Sequence, residues 1–273
     1  VEPAIKLTLP DKMDLIKRAI AEKEKVLVAF SGGVDSSTLA ALAFDALGDN
    51  ALAVTLYSPV MPQSELEYAK RTAEVIGIRH IVLDHDILFD ERIRMNDPQR
   101  CYYCKNHFVR KLKGVASEEG VNVIMEGTNA SEITGRRPGL EALREAGSSI
   151  FTPYVEFDVS KGEVRQMASY LGLDVANRPS NSCLLSRLPY DTEVTSDLLG
   201  KIETAEDLIH SLGISSVRVR VHDDIARIEV QPVDIPIIIQ NRIPILSCLK
   251  KIGYPYVTLD LEGFRSGSMD EVL

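Results

Sequence analysis

The chain has 273 residues, long enough for one large domain or two ordinary ones with ample core either way. It is 45% hydrophobic and 26% charged, the composition of a soluble globular protein, and no segment approaches the apolar length of a membrane span. The net charge of −9 weighs against a large nucleic-acid footprint, and with no signal-peptide pattern the expected location is cytoplasmic.

Residues 1–9 read as a loose arm, and a helix is predicted from Leu9 with Leu15, Ile16 and Ile20 on one face. Residues 26–30 (VLVAF) read as a short buried strand, and 37–44 have helical spacing that ends near Gly48. A second strand is predicted at 51–56, followed by a loop at Pro59 and Pro62. A helix from Ser64 to Gly77 turns Leu66, Ala69, Ala73 and Ile76 inward, and 80–84 is a third strand. This alternation predicts βαβ units and an α/β fold with a doubly wound parallel sheet, whose ligands sit beyond the carboxyl ends of the strands.

Residues 90–100 are charged and irregular and lead into Cys101 and Cys104, after which a helix runs to Gly120. A fourth strand is predicted at 121–125, followed by Glu126, Gly127, Thr128 and Asn129, small and polar residues suited to an adenosine or metal contact. Residues 131–139 read as a mobile loop, 140–146 as a short helix and 150–153 as a fifth strand or extended segment. Ser160 and Glu163 form a capping box for a helix ending at Leu171 and Gly172. The polar stretch 174–195 marks a boundary, dividing the chain into a first domain, 1–178, and a smaller α+β domain, 179–273. The second domain should hold a helix (196–212), two strands (216–222 and 226–231), a helical region (235–252) and a last strand (256–261).

The chemistry begins at residues 31–37 (SGGVDSS), which join a buried strand to a helix N-terminus. Unpaired N–H groups and the positive end of the helix dipole make such a turn an anion site. Gly32 and Gly33 let the backbone close around a phosphate, Ser31, Ser36 and Ser37 add hydroxyls, and Asp35 can hold Mg²⁺. The stretch has neither the Walker A lysine nor the G-x-G-x-x-G pattern. It resembles the PP-loop, S-G-G-x-D-S, of the ATP pyrophosphatases. That resemblance implies a loop gripping the β,γ-pyrophosphate of ATP while a substrate oxygen attacks the α-phosphorus.

Cys101 and Cys104 are spaced C-x-x-C at a helix start, where the dipole, Arg100 and Lys105 favour thiolates. A redox dithiol, half of a zinc site, part of an iron–sulfur site and an ordinary core pair all remain open on spacing alone. Cys183, in its polar loop, is the natural third partner, and three thiolates could hold a [4Fe–4S] cluster with one iron open to a ligand such as hydrosulfide. Cys248 reads as a small buried hydrophobe, and the five histidines lack metal-ligand spacing. Arg218 and Arg220 lie two apart on one strand and share a face, suiting a phosphate or carboxylate if that face is not simply solvated.

The PP-loop, residues 178–187 (RPSNSCLLSR), the strand 218–222 (RVRVH) and the tail 261–268 (LEGFRSGS) together resemble the LarE-type ATP-dependent sulfur transferases, which help build a nickel-pincer nucleotide cofactor. The resemblance implies adenylation of a pyridinium dicarboxylate mononucleotide followed by displacement of AMP by sulfur. It implies an ATP site on Ser31, Gly32, Gly33, Asp35, Ser36, Ser37, Thr55, Glu126 and Gly127, with catalytic roles for Asp35, Glu126, Cys183, Ser186 and Arg187. Ser186 and Arg187 could instead cap the helix that follows. Arg218, Arg220 and Arg265 would bind the substrate, with the turn at 266–268 completing the anion site. Single-cysteine members sacrifice the residue equivalent to Cys183. This chain resembles the three-cysteine branch, which implies an iron–sulfur cluster on Cys101, Cys104 and Cys183 fed by sulfide or another sulfur source, and a homo-oligomer. The alternatives are a tRNA thiolation enzyme, disfavoured by the acidic total, an amidotransferase-type synthetase, and a nucleotide sensor that releases no pyrophosphate.

Overall fold

The computed structural model describes residues 7–133, 138–179 and 181–265. In chain order the elements are α1 (Leu9–Ala21), β1 (Val26–Ala29), α2 (Val34–Leu47), β2 (Ala51–Tyr57), α3 (Gln63–Ile76), β3 (Arg79–Asp84), α4 (Glu91–Arg94), α5 (Arg100–Glu118) and β4 (Val123–Met125). They continue with α6 (Pro138–Glu145), β5 (Ile150–Phe151), α7 (Pro153–Glu156), α8 (Lys161–Tyr170), α9 (Ser196–His210), β6 (Val217–His222), β7 (Ile225–Val230), α10 (Ile235–Gln240), α11 (Arg242–Lys251) and β8 (Tyr256–Leu259). The backbone packs into two units. One comprises Val1–Ser58, Gln63–Asp86 and Cys101–Ser180; the other comprises Pro59–Pro62, Ile87–Arg100 and Asn181–Leu273.

The first unit is built on a five-stranded sheet in the order β3-β2-β1-β4-β5, with every pairing parallel. Strand alternation divides its apolar side chains between two cores. Val26, Val28, Ala51 and Ala53 join residues of α1, α2, α3 and α8 in one, while Leu27, Leu52, Val54 and Leu56 join Leu112, Val115 and Ala116 of α5 in the other. Helices therefore cover both faces, which explains why β1 and β2 are apolar at nearly every position. The doubly wound parallel sheet expected from the sequence is the observed one.

Local departures from the sequence reading have local causes. The helix after the PP-loop begins at Val34 rather than Ser37, so Asp35 and Ser36 lie in its first turn. The fifth strand stops at Phe151 because Pro153, which has no N–H for a sheet ladder, opens α7. The helical region 235–252 is broken at Asn241 into α10 and α11, since Pro244 cannot donate back to Gln240. The Ser160–Glu163 capping box is present, with Ser160 N donating to Glu163 at 2.8 Å. Of the loop expected at 131–139, residues 134–137 lie outside the described residues, while Pro138 and Gly139 open α6. Cys248 is half-buried rather than buried, because only Ile245 and Leu249 of α11 turn fully inward.

The second unit carries a three-stranded sheet, β6-β7-β8, with β6 and β7 antiparallel and β7 and β8 parallel. The paired residues Val217 and Val230, Val219 and Ile228, and Val221 and Ala226 form an apolar face and are all buried. The opposite face pairs Arg218 with Glu229 and Arg220 with Arg227, yet Arg218 is only 8% and Arg220 only 4% exposed. A charged face has therefore been covered rather than solvated.

Gly32 has φ +74°, and a Cβ there would lie 2.7 Å from the Ala69 Cα in α3. Gly147 has the same φ with nothing within 4 Å. Gly32→Ala should thus lower stability by strain plus steric overlap, about 2–4 kcal/mol, against about 1–2 kcal/mol for Gly147→Ala. Urea unfolding of both variants checks this, and equal losses would show that α3 yields to the loop.

Candidate active site

In the first unit the PP-loop leaves β1 and turns into α2. Gly33 is the N-cap residue, at φ −73° and ψ 165°, and no side chain caps the helix. The hydroxyls organise the turn itself: Ser36 Oγ accepts from Ser31 N at 3.2 Å and donates to Gly33 O at 3.2 Å, while Ser31 Oγ accepts from Gly33 N at 3.3 Å. Ser37 Oγ is buried, with no hydrogen-bond partner among the described residues. A helix start left open by its own side chains, with a buried unpaired hydroxyl beside it, fits a nucleotide's phosphates.

The Asp35 carboxylate projects from the first turn of α2. It accepts from Asn129 Nδ2 at 3.0 Å and forms an ion pair with Lys161 at the start of α8. Its carbonyl accepts from the Tyr154 hydroxyl at 3.2 Å, and burial first, then the Asp35 charge, holds that phenol protonated far above its usual range. Gly127 packs against the same turn, where a Cβ would lie 3.1 Å from the Asp35 carbonyl carbon. Glu126 accepts from Lys105 Nζ at 2.9 Å and from Thr128 N at 2.7 Å. Burial pushes its carboxyl up, but the Lys105 charge and the Thr128 bonds outweigh that and hold it below the usual range. Thr55 is buried in β2, and its hydroxyl donates to Phe30 O at 2.7 Å. That spends its proton, so Nε2 of His80, 2.8 Å away, is the donor of the second bond. Burial, then the Lys70 charge, lowers the His80 pKa and favours the neutral ring. Thr55 thus braces the strand end from which the loop departs.

Lys161, Asn129 and Tyr154 were not singled out from the sequence as partners of Asp35. All three follow strand ends of the parallel sheet, where an α/β site is built, and that position was the available signal. Cys101 is exposed and Cys104 half-buried, one turn apart at the start of α5.

In the second unit Cys183 is exposed and opens a short 3₁₀ turn, Leu184–Arg187. Its carbonyl accepts from Ser186 N at 3.1 Å and Ser186 Oγ at 2.9 Å. Arg187 is fully buried; Nε and Nη2 reach Glu206 at 2.8 Å each, and Nη1 donates to the carbonyls of Ser182 (2.9 Å) and Cys183 (3.2 Å). Its donors are taken up within the protein, so it shapes the Cys183 turn. Arg220 pairs with Glu229 at 3.0 Å and donates to Ser186 O, which seats that turn on the charged face of the sheet. Arg218 donates to Val217 O at 2.9 Å and stacks over Phe264 at 5.0 Å, and among the described residues no carboxylate pairs with it. Burial, then the Arg187 charge, pulls its pKa down to about 10, so it stays cationic at neutral pH. Arg265 pairs with Glu262 at 2.7 Å; the turn expected at 266–268 lies outside the described residues. Among the described residues no three His, Cys, Asp or Glu side chains are grouped to hold a metal, and no helix is long and apolar enough to cross a membrane.

A parallel sheet with a phosphate-binding turn at the end of β1 defines an ATP-binding protein of the PP-loop class, and residues 14–151 match the family model described as asparagine synthase. The chain is 37% identical over 267 residues to the pyridinium-3,5-bisthiocarboxylic acid mononucleotide synthase of Lactiplantibacillus plantarum, covering 97% of this chain and 96% of that one. It is also 37% identical over 267 residues to an uncharacterised Synechocystis protein, covering 97% of this chain and 99% of that one. The tRNA-specific 2-thiouridylase MnmA of Rickettsia rickettsii is 29% identical over 59% of this chain and 53% of its own. The chain therefore belongs to the LarE-type ATP-dependent sulfurtransferases of the PP-loop superfamily.

Lys161 pairs with Asp35 in the first turn of α2, where a cation would suit a nucleotide phosphate. Lys161→Met should leave the fold intact and slow ATP–pyrophosphate exchange at least about tenfold. Exchange at the wild-type rate would exclude Lys161 from the nucleotide site.

Proposed function

We propose that the enzyme adenylates a carboxylate of a pyridinium dicarboxylate mononucleotide and replaces one of its oxygens with sulfur. A carboxylate oxygen is a poor leaving group, so it must first be activated. The substrate oxygen attacks the α-phosphorus of ATP and pyrophosphate departs; the sulfur nucleophile then attacks the acyl carbon and AMP leaves with the original oxygen. The observation that carries the reading is Arg218, a buried cation that pairs with no carboxylate among the described residues, on the same sheet face that supports the exposed Cys183 turn. Its guanidinium suits the anionic groups of such a substrate. The near full-length likeness to a synthase named for a bisthiocarboxylic acid mononucleotide supports the same choice.

Within this reading the PP-loop amides and hydroxyls grip the β,γ-phosphates. Asp35 would hold Mg²⁺ to offset phosphate charge, and the ionised Glu126 fixes Lys105 beside the nucleotide loop. Ser186 and Arg187 keep the Cys183 turn in place, and Arg220 and Arg265 add positive charge to the substrate site. Cys101, Cys104 and Cys183 are three thiols of the kind that ligate iron–sulfur clusters, and a [4Fe–4S] cluster on them would supply sulfur taken from sulfide. The three-cysteine pattern of the sequence supports that assignment.

Two measurements test this reading. Asp35→Ala should abolish pyrophosphate release, and adenylation at the wild-type rate would remove Asp35 from the mechanism. Anaerobically purified protein should contain iron and turn over repeatedly with sulfide, and Cys183 should keep its mass. Stoichiometric dehydroalanine at Cys183 after a single turnover would overturn the cluster assignment in favour of a sacrificed cysteine.

A further inference from the structure

The segment 87–100 precedes Cys101 in the chain, and its sequence reads only as charged and irregular. In the structure it belongs to the second unit, and its most buried polar residue is Asn96, at 0% exposure. Asn96 adopts φ +53°, a left-handed conformation that asparagine tolerates better than most residues. Its Nδ2 faces three carbonyls beyond Cys183: Leu185 at 3.4 Å, Leu188 at 3.2 Å and Pro189 at 2.7 Å. Its own carbonyl accepts from Asp191 N at 3.3 Å, and two residues earlier the Arg94 carbonyl accepts from Val194 N at 2.7 Å. Val60, in the other N-terminal segment of this unit, accepts from Leu184 N at 2.8 Å.

The turn is also held by the Arg187–Glu206 pair. Glu206 is 4% exposed, binds the Arg187 guanidinium at both oxygens and also accepts from Val219 N at 2.8 Å. Arg187 in turn reaches Ser182 O, Cys183 O and Asn181 Oδ1, the last at 3.2 Å. The carbonyls of residues 182 and 183 are thus held from α9 and β6, and those of 185, 188 and 189 from Asn96. An exposed thiol whose neighbours are fixed on both sides is preorganised, which a sulfur-transfer step needs and a surface loop ordinarily lacks.

We infer that Asn96 and Glu206 are positioning residues for Cys183: they set the turn that presents the thiol and touch neither nucleotide nor substrate. The inference rests on the reading above that Cys183 takes part in sulfur transfer. Its consequence is a split between half-reactions, since the nucleotide-binding loop lies in the other unit.

The test compares Asn96→Asp and Glu206→Gln with wild type. Asn96→Asp keeps size and backbone preference but sets an acceptor against three carbonyls. Pyrophosphate exchange should stay within about twofold of wild type, while sulfur transfer falls on the order of 10-fold to 100-fold. Amide hydrogen exchange should show lost protection at Leu184, Asp191 and Val194 in Asn96→Asp, with Cys101-side residues of α5 unchanged. Asn96→Gly, which keeps the left-handed backbone without the amide, should behave likewise and serves if the aspartate variant does not fold. Wild-type transfer rates in these variants, or an equal fall in both half-reactions, would overturn the positioning role. If wild-type protein transfers no sulfur to the pyridinium nucleotide, the functional reading fails, and amide exchange decides the clamp alone: retained protection at those three amides overturns it.

Discussion

At the PP-loop, close backbone approach at two glycines fixes the rest of the nucleotide site. Gly32 brings the loop within van der Waals distance of α3, and Gly127 brings the end of β4 against Asp35 and Ser36. With the backbone held from two sides, the first turn of α2 keeps its N–H groups unobstructed by its own side chains. The Asp35 carboxylate is then aimed by Asn129 and Lys161, each supplied by a segment that follows a different strand. A parallel sheet delivers this geometry because all its carboxyl ends lie on one edge. Positive charge from Lys161 and the helix dipole offsets the carboxylate.

The second unit solves a different problem, that of keeping cations dry. Arg187, Arg218 and Arg220 are buried, and among the described residues Glu206 and Glu229 are the carboxylates buried with them. Deleting one partner of such a pair outright typically costs about 3–5 kcal/mol, so each glutamate also contributes to the stability of its unit. The imbalance leaves Arg218 supported by an aromatic face and a carbonyl, and a desolvated guanidinium of that kind attracts an anion more strongly than a surface arginine would. The Cys183 turn lies on this face through Arg220 and Ser186, so the thiol and the cationic face belong to one structure.

Much of the first unit was legible because each element advertised its environment. The continuous apolar runs of β1 and β2 announce strands covered on both sides, and the S-G-G-x-D-S turn announces an anion site. The second unit was legible in its order of elements but not in its burial. Alternating arginines on β6 read more readily as a solvated face when the resemblance is set aside, because period two shows which residues share a side and not what covers it. Arg187 carried the same ambiguity: a loop arginine reads as a substrate contact until its partner Glu206, 19 residues on, is seen. The segments 59–62 and 87–100 joined the second unit through main-chain bonds and Asn96, and such bonds leave no mark in hydropathy. Lys161 read as part of a helix start, and only the fold places it on Asp35.

The central claim is that ATP cleavage activates a carboxylate for exchange of oxygen by sulfur. The direct measurement is the stoichiometry of one reaction mixture containing protein, ATP, Mg²⁺, sulfide and the pyridinium dicarboxylate mononucleotide. The account predicts that AMP and pyrophosphate appear together, one of each for every thiocarboxylate found by mass spectrometry, and that neither appears without the carboxylated substrate. ADP and orthophosphate as products, or AMP accumulating without any thiocarboxylate, would contradict it.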